Sequence, residues 1–343
     1  MKRMICLLMT VALVALCFAG CSGETTTATS SAAEPAYSAA PVSYEVKLAT
    51  LAGPTGMGMA FMLDEESTRN TYDYTIASAP DEITSKLLTG AYDIAALPTN
   101  VAATLYNGSE GKVQLLALNT LGVLYILEKG DTIKTVADLK GKKIYVSGQG
   151  STPEYLLDYL LSANGIDPDK DVDIDFTYST HADLVAFAAT GAADVVLLPE
   201  PTVTALLSQN PDMRVALDLN GVWTDTVAGT EQQGSVVSMG CVVVRTEFAE
   251  KNPQAVANFL ADYEDSVNKV KADYQAASEK IAALGIVAKA PVALKALPRC
   301  SIVFVAGQEM IDQIGAFYQV LFDANPKSVG GKLPDSNFYY VAD

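Results

Sequence analysis

The chain has 343 residues, and its 40 acidic against 23 basic side chains leave a formal charge of -17. Such a surface repels phosphate backbones and anionic headgroups, which argues against nucleic acid as a partner. With one histidine in the whole sequence, there is little material for a Ser/His/Asp set or a metal cluster, so neither an enzyme nor a cofactor is expected.

Lys2 and Arg3 precede an apolar run over residues 4–18, and the small pair Ala19-Gly20 leads into Cys21. The run is short for a membrane span, which takes about 20 apolar residues, and reads as a secretory signal over residues 1–20. A cysteine directly after small residues resembles a bacterial lipobox, with Phe18 where Leu is usual. Cys21 is therefore expected to become the acylated N-terminus that holds the chain on the extracytoplasmic face of the cell membrane. An ordinary signal cleaved near the same place is the alternative. Residues 21–43 are Ser, Thr, Ala and Pro with almost no large apolar side chain, too little to offset the entropy of ordering, and read as a flexible tether.

From Tyr44 the pattern becomes strand, glycine loop and helix: residues 44–51 alternate, GPTGMGM turns, and residues 57–63 read as a helix. Residues 72–77 then predict a strand, 81–89 a helix, and 94–97 an unbroken apolar strand buried on both faces. Two more apolar runs cover 113–119 and 121–127. A second unit follows: strand 144–147, the loop Gly148-Gln149-Gly150, a helix over residues 153–163, strand 172–178, helix 182–189, strand 195–198 and strand 215–219. At the start of the first helix of that unit, Ser151 and Glu154 have capping-box spacing, and Pro153 suits the first turn. Residues 221–235 read as turns and contain the only Trp, Trp223. After the apolar run 236–244 the chain reads as helical over 253–270, 274–284 and 307–322.

Two segments echo each other. LLTGAYDIAALPTN and AATGAADVVLLPEP both end a helix at Thr-Gly, place Asp three residues after the Gly, add four apolar residues and stop at Pro, so that Gly90, Asp93 and Pro98 match Gly191, Asp194 and Pro199. A Gly just past a helix supplies the left-handed cap. Parallel α/β sheets bind ligands beyond the carboxyl ends of their strands, so Thr99, Asn100 and Glu200 are expected where two lobes face one solute. The glycine loops supply Thr55, Gly56 and Met57 from the first lobe, and Gly150, Ser151 and Thr152 from the second, where backbone N–H groups and hydroxyls meet a helix N-terminus. None of these segments contains Lys or Arg, and Glu200 is the one charge on offer. A neutral or weakly charged solute with a hydrogen-bond donor, such as an aminated heteroaromatic ring, fits that set better than a sulfonate does. Tyr155, Tyr178 and Trp223 are candidates to stack on it. Cys241 and Cys300 remain after signal removal, with pairing left open.

GKKIYVSGQGSTPEYLLDYLLSANGIDPDKDV, the first echo segment and CVVVRTEFAEKNPQAV together resemble the SsuA-like substrate-binding proteins of ABC importers for nitrate, taurine, alkanesulfonates and thiamine-pyrimidine precursors. The resemblance runs from about Tyr44 to beyond Phe322. It implies a type II periplasmic-binding-protein fold: two α/β lobes, here over residues 44–128 with 239–343 and over 129–238, joined by two crossings near Lys129 and Ser238. It also implies a permease and an ATPase as partners, with membrane attachment through Cys21. Pyrimidine-synthesising enzymes share the scaffold and form an alternative, as does an anion binder of the sulfonate or nitrate type.

Overall fold

The computed structural model describes residues 43–63 and 67–341; the signal, Cys21 and all of the tether except Ser43 lie outside them. The first lobe begins with β1 (Glu45–Leu51), a single helical turn α1 (Pro54–Met57), β2 (Thr71–Ala77), α2 (Asp81–Leu88), β3 (Ile94–Pro98), α3 (Thr99–Gly108) and β4 (Val113–Leu121). The second comprises β5 (Leu124–Lys129), β6 (Lys143–Val146), α4 (Thr152–Ala163), β7 (Asp173–Asp175), α5 (His181–Ala189), β8 (Val195–Pro199), α6 (Thr202–Gln209) and β9 (Met213–Asp218). After α7 (Leu219–Val227), the chain returns to the first lobe through β10 (Ser238–Arg245), α8 (Thr246–Lys251), α9 (Pro253–Ala272), α10 (Tyr274–Ala283), α11 (Ala290–Ala296), β11 (Ile302–Ala306) and α12 (Gly307–Ala324).

Two sheets result, in the orders β11-β4-β10-β3-β1-β2 and β7-β6-β8-β5-β9. The echo segments occupy equivalent places in them. β3 is parallel to β1 and antiparallel to β10, while β8 is parallel to β6 and antiparallel to β5. Both strands are buried on both faces, as their apolar runs predict: Ala95 and Leu97 enter one core and Ile94 and Ala96 another, with Val195 and Leu197 opposed to Val196 and Leu198 in the same way. Gly90 and Gly191 both have φ of 81°, the left-handed cap read from the sequence. This is the two-lobed α/β architecture with a two-crossover hinge.

Several local expectations change. The first crossing lies at Gly122-Val123 rather than at Lys129, because β5 already pairs with β8 and β9 in the second sheet. Residues 58–63 form tight turns instead of a helix. A side chain at Gly58 would come within 2.8 Å of the Tyr263 hydroxyl, so that segment is pressed against α9 where tertiary packing dictates its path. Residues 221–235 are not all turn, since α7 carries Trp223 into the interior, and β11 breaks the helical tail as an edge strand on β4. Trp223 is fully buried. Its indole N–H donates to the Ser235 carbonyl at 3.0 Å, and its ring meets Tyr159 of α4 and Phe317 of α12, one helix from each lobe. Cys241 and Cys300 are unpaired and buried, and burial pushes the Cys241 thiol up to about 12, so both serve as small apolar core residues.

Trp223→Ala removes the ring that joins the two lobes behind the second crossing. Chemical denaturation should show a loss of about 3–5 kcal/mol; a loss below ~1 kcal/mol would mean that the ring is not part of a cooperative core.

Candidate functional site

A cavity of about 480 Å³ lies between the carboxyl ends of the two sheets, a volume suited to a small organic molecule. Pro98 and Pro199, the matched ends of the echo segments, both line it. The strand pairing explains why. Gly240 lies opposite Pro98 and Leu124 opposite Pro199, so each crossing strand starts where a central strand ends. Ser238 and Met239 thus reach the cavity from one crossing, and Val123 and Leu124 from the other.

Thr55, Asn100, Ser151, Thr152 and Glu200 line the cavity as expected from the sequence, whereas Gly56, Met57, Thr99 and Gly150 do not. Gly56 answers a packing need: a Cβ there would sit 2.3 Å from the Leu51 carbonyl oxygen. Met57 is in the core of the first lobe. The Thr99 hydroxyl is buried against that of Ser238 at 2.9 Å. Gly150 is engaged within its own loop, with its N–H donating to the Glu154 carboxylate and its carbonyl accepting from the Tyr155 hydroxyl. The aromatic candidates are structural: Tyr178 stacks on Phe187 with ring centroids 4.3 Å apart, and Tyr155 also accepts from Asn325 Nδ2 across the lobes.

Glu200 is not a free charge. Its side chain is fully buried, and its carboxylate accepts from the Thr204 N–H and hydroxyl and from Arg299 Nε. Arg299 comes from the first lobe, just before β11, and its Nη2 also donates to Thr204 Oγ1 at 2.7 Å. The Arg299 carbonyl accepts from the Tyr125 hydroxyl on β5. The ion pair therefore ties the lobes together beside the first crossing. Sequence spacing hides this pairing, because the partners are far apart in the chain and Arg299 belongs to no cleft-edge segment.

Besides the single turn α1, whose Pro54 and Thr55 line the cavity, three helices direct their N-termini to it. Asn100 is in the first turn of α3, Ser151 and Thr152 start α4, and Thr180 and His181 start α5. The start of α5 is capped in the usual way, with Thr180 Oγ1 accepting from the Asp183 N–H. Those of α3 and α4 have no side-chain cap. Pro98 has no cap to offer α3, and the Ser151 hydroxyl donates to the Gly148 carbonyl, so the capping box expected with Glu154 does not form. One uncapped helix end from each lobe thus opens on the same space, leaving N–H groups with positive partial charge.

Ser179, Thr180 and His181 were missed as cavity residues, although they precede a helix after a strand just as Ser147 to Thr152 do. Thr120 was missed for a different reason. It is the last residue but one of β4, and its buried hydroxyl has no partner among the described residues.

The family described as "ABC transporter, phosphonate, periplasmic substrate-binding protein" matches residues 58–289, well over half of the chain. An ABC transporter crystal structure from Parabacteroides distasonis is 25% identical, covering 87% of this chain and 99% of that one with a TM-score of 0.73. The periplasmic aliphatic sulphonate-binding protein SsuA of Escherichia coli shares the fold at 20% identity, over 84% of this chain and 96% of that one, with a TM-score of 0.63. The periplasmic sulfonate-binding protein SsuA of a putative sulfonate ABC transporter from Methylobacillus flagellatus KT does so at 18% identity, over 87% and 91%, with a TM-score of 0.64. No curated protein matches the chain.

Arg299→Met leaves the Glu200 carboxylate buried without its counter-charge and should lower the unfolding free energy by about 3–5 kcal/mol. Adding Glu200→Gln to that variant should return much of the loss. Equal stability of the single and double variants would show that the two groups are not coupled.

Proposed function

Because the chain belongs to the periplasmic substrate-binding proteins of phosphonate-type ABC transporters, we propose that it captures a small organic oxyanion, of the phosphonate or sulfonate class, between its lobes and presents it to a permease. The observation that carries this reading is the pair of uncapped N-termini, α3 from one lobe and α4 from the other, opening on one cavity. Helix N-termini bind oxyanions through backbone N–H groups and dipole without any basic side chain. Hydroxyls of Thr55, Ser151, Thr152 and Ser179 stand around the same space as further donors.

The neutral, donor-bearing solute expected from the sequence rested on the lack of Lys and Arg at the cleft edges, which the cavity lining keeps, and on Glu200 as a free charge, a support that its pairing with Arg299 removes. Pro54, Val123, Leu124, Pro153 and Met239 give the cavity an apolar side that suits the carbon substituent of a phosphonate or sulfonate. Capture works by hinge closure around Gly122-Val123 and the segment after α7: the solute satisfies N–H groups from both lobes at once, so it favours the closed over the open arrangement. The lobe division at these crossings, a signal over residues 1–20, a tether over 21–43 and acylation of Cys21 complete the proposal. They place the protein on the extracytoplasmic face of the membrane beside its permease and ATPase.

Thermal unfolding with ethanesulfonate, methylphosphonate, nitrate and a neutral aminopyrimidine distinguishes the solute classes. An organic oxyanion should stabilise the protein saturably, by about 2.7 kcal/mol at a hundredfold excess over Kd. Stabilisation by the aminopyrimidine alone would overturn the oxyanion reading and restore the neutral one.

A further inference from the structure

Asn325 follows the last residue of α12 in the first lobe, and its side-chain amide works in two directions. Oδ1 accepts from the Lys327 N–H at 3.1 Å and so caps the turn Pro326–Val329, while Nδ2 donates at 3.0 Å to the hydroxyl of Tyr155 on α4, in the second lobe. Tyr155 is 8% exposed, and its hydroxyl donates to the Gly150 carbonyl at 2.7 Å. The order of donors is fixed at both ends. A carbonyl oxygen only accepts and a backbone N–H only donates, so the phenol proton belongs to Gly150, the phenol oxygen is left to accept, and the amide faces it with its nitrogen.

The turn that Asn325 caps is held to α3 just as closely. Thr104 Oγ1 donates to the Ser328 carbonyl at 3.2 Å, and Asn107 Nδ2 donates to the carbonyls of Val329 and Lys332, both at 2.7 Å. Val329 is fully buried, and Gly330 has a φ of 83° at a point where a Cβ would come within 2.9 Å of Asn107 Cβ. Residues 325–332 therefore bridge the two helices whose uncapped N-termini open on the cavity, α3 through Thr104 and Asn107, and α4 through Tyr155 and the loop at Gly150. None of these bridging residues lines the cavity, whereas Gly148, Ser151 and Thr152, on either side of Gly150, do.

We propose that Asn325 is a positioning residue for solute binding: it reaches across the lobes to Tyr155, and through Tyr155 it holds the Gly148–Gly150 loop, so that the start of α4 is set against the start of α3. Hydrogen bonds in series polarise one another, so loss of the amide donor also weakens the bond from Tyr155 to Gly150. Backbone N–H groups have no side-chain torsion with which to recover a lost direction, so a displaced loop costs affinity. The role in solute binding rests on the oxyanion reading; the brace from Asn325 to Gly150 does not.

Asn325→Asp separates the two tasks of the side chain. A carboxylate still accepts from the Lys327 N–H, but it cannot donate to Tyr155 and instead draws the phenol proton away from Gly150. In the full chain without solute, amide hydrogen exchange over residues 148–152 should be faster in Asn325→Asp and in Tyr155→Phe, with exchange over the Pro326–Val329 turn unchanged in the Asp variant. Calorimetry with ethanesulfonate or methylphosphonate should show affinity about three- to tenfold weaker in each. The double variant should lose no more than either single one, and Asn325→Gln, which keeps an amide donor, should recover part of the affinity. Unchanged exchange over residues 148–152 in both variants overturns the brace. Faster exchange with unaltered affinity overturns the positioning role, as does a double variant in which the two losses add in full. If neither probe binds the unsubstituted chain, the role in solute binding falls together with the oxyanion reading, and the exchange rates still decide the brace.

Discussion

β5 and β10 each leave one lobe and pair antiparallel with the central strand of the other, and this pairing governs where the cavity, the hinge and the helix ends lie. An antiparallel neighbour begins where the central strand finishes. The first residues of each crossing strand therefore stand beside Pro98 or Pro199, at the strand ends that α/β sheets use for ligands. Any movement of the crossings changes the cavity directly, because Val123, Leu124, Ser238 and Met239 belong to both. The hinge and the binding wall are the same few residues.

The electrostatics of the cavity follow from what the strand ends lead into. β3 runs straight into α3, and the loop after β6 runs into α4, so backbone N–H groups face the space between the lobes without a long positively charged side chain. On a chain with a net charge of -17, donors fixed in the backbone have a physical advantage over basic side chains. Dipoles of the backbone cannot swing out to pair with surface carboxylates, as a flexible lysine can. The one carboxylate at the cavity, Glu200, is balanced by Arg299 of the opposite lobe. That pair removes a buried negative charge from the solute's surroundings and joins the lobes at the hinge side. Trp223 makes a second, apolar connection there, between α4 and α12.

Much of this was legible from residue order. The two Thr-Gly segments, with Asp and Pro at matched distances, identify the central strands because a left-handed cap and a doubly buried apolar run are local properties that need no distant partner. They also place Asn100, and the glycine loop places Ser151 and Thr152, at the cavity. Met57 and Gly56 show where that logic stops. Both are in a glycine-rich turn of the right kind, but one side chain is drawn into the core and the other position is glycine because Leu51 leaves no room for a Cβ.

Periodicity and turn chemistry were sufficient for the alternation of strands and helices, the left-handed glycines and the two facing strand ends, since each depends on residues within one or two turns of chain. Three-dimensional packing was needed to bring Arg299 to Glu200, to bury Trp223, to move the first crossing to Gly122-Val123 and to carry Asn325 to Tyr155. Each of these joins residues whose separation along the chain carries no information about their distance. The charge state of Glu200 at the cavity wall depends on such a long-range pair, so local pattern alone read it as a free charge.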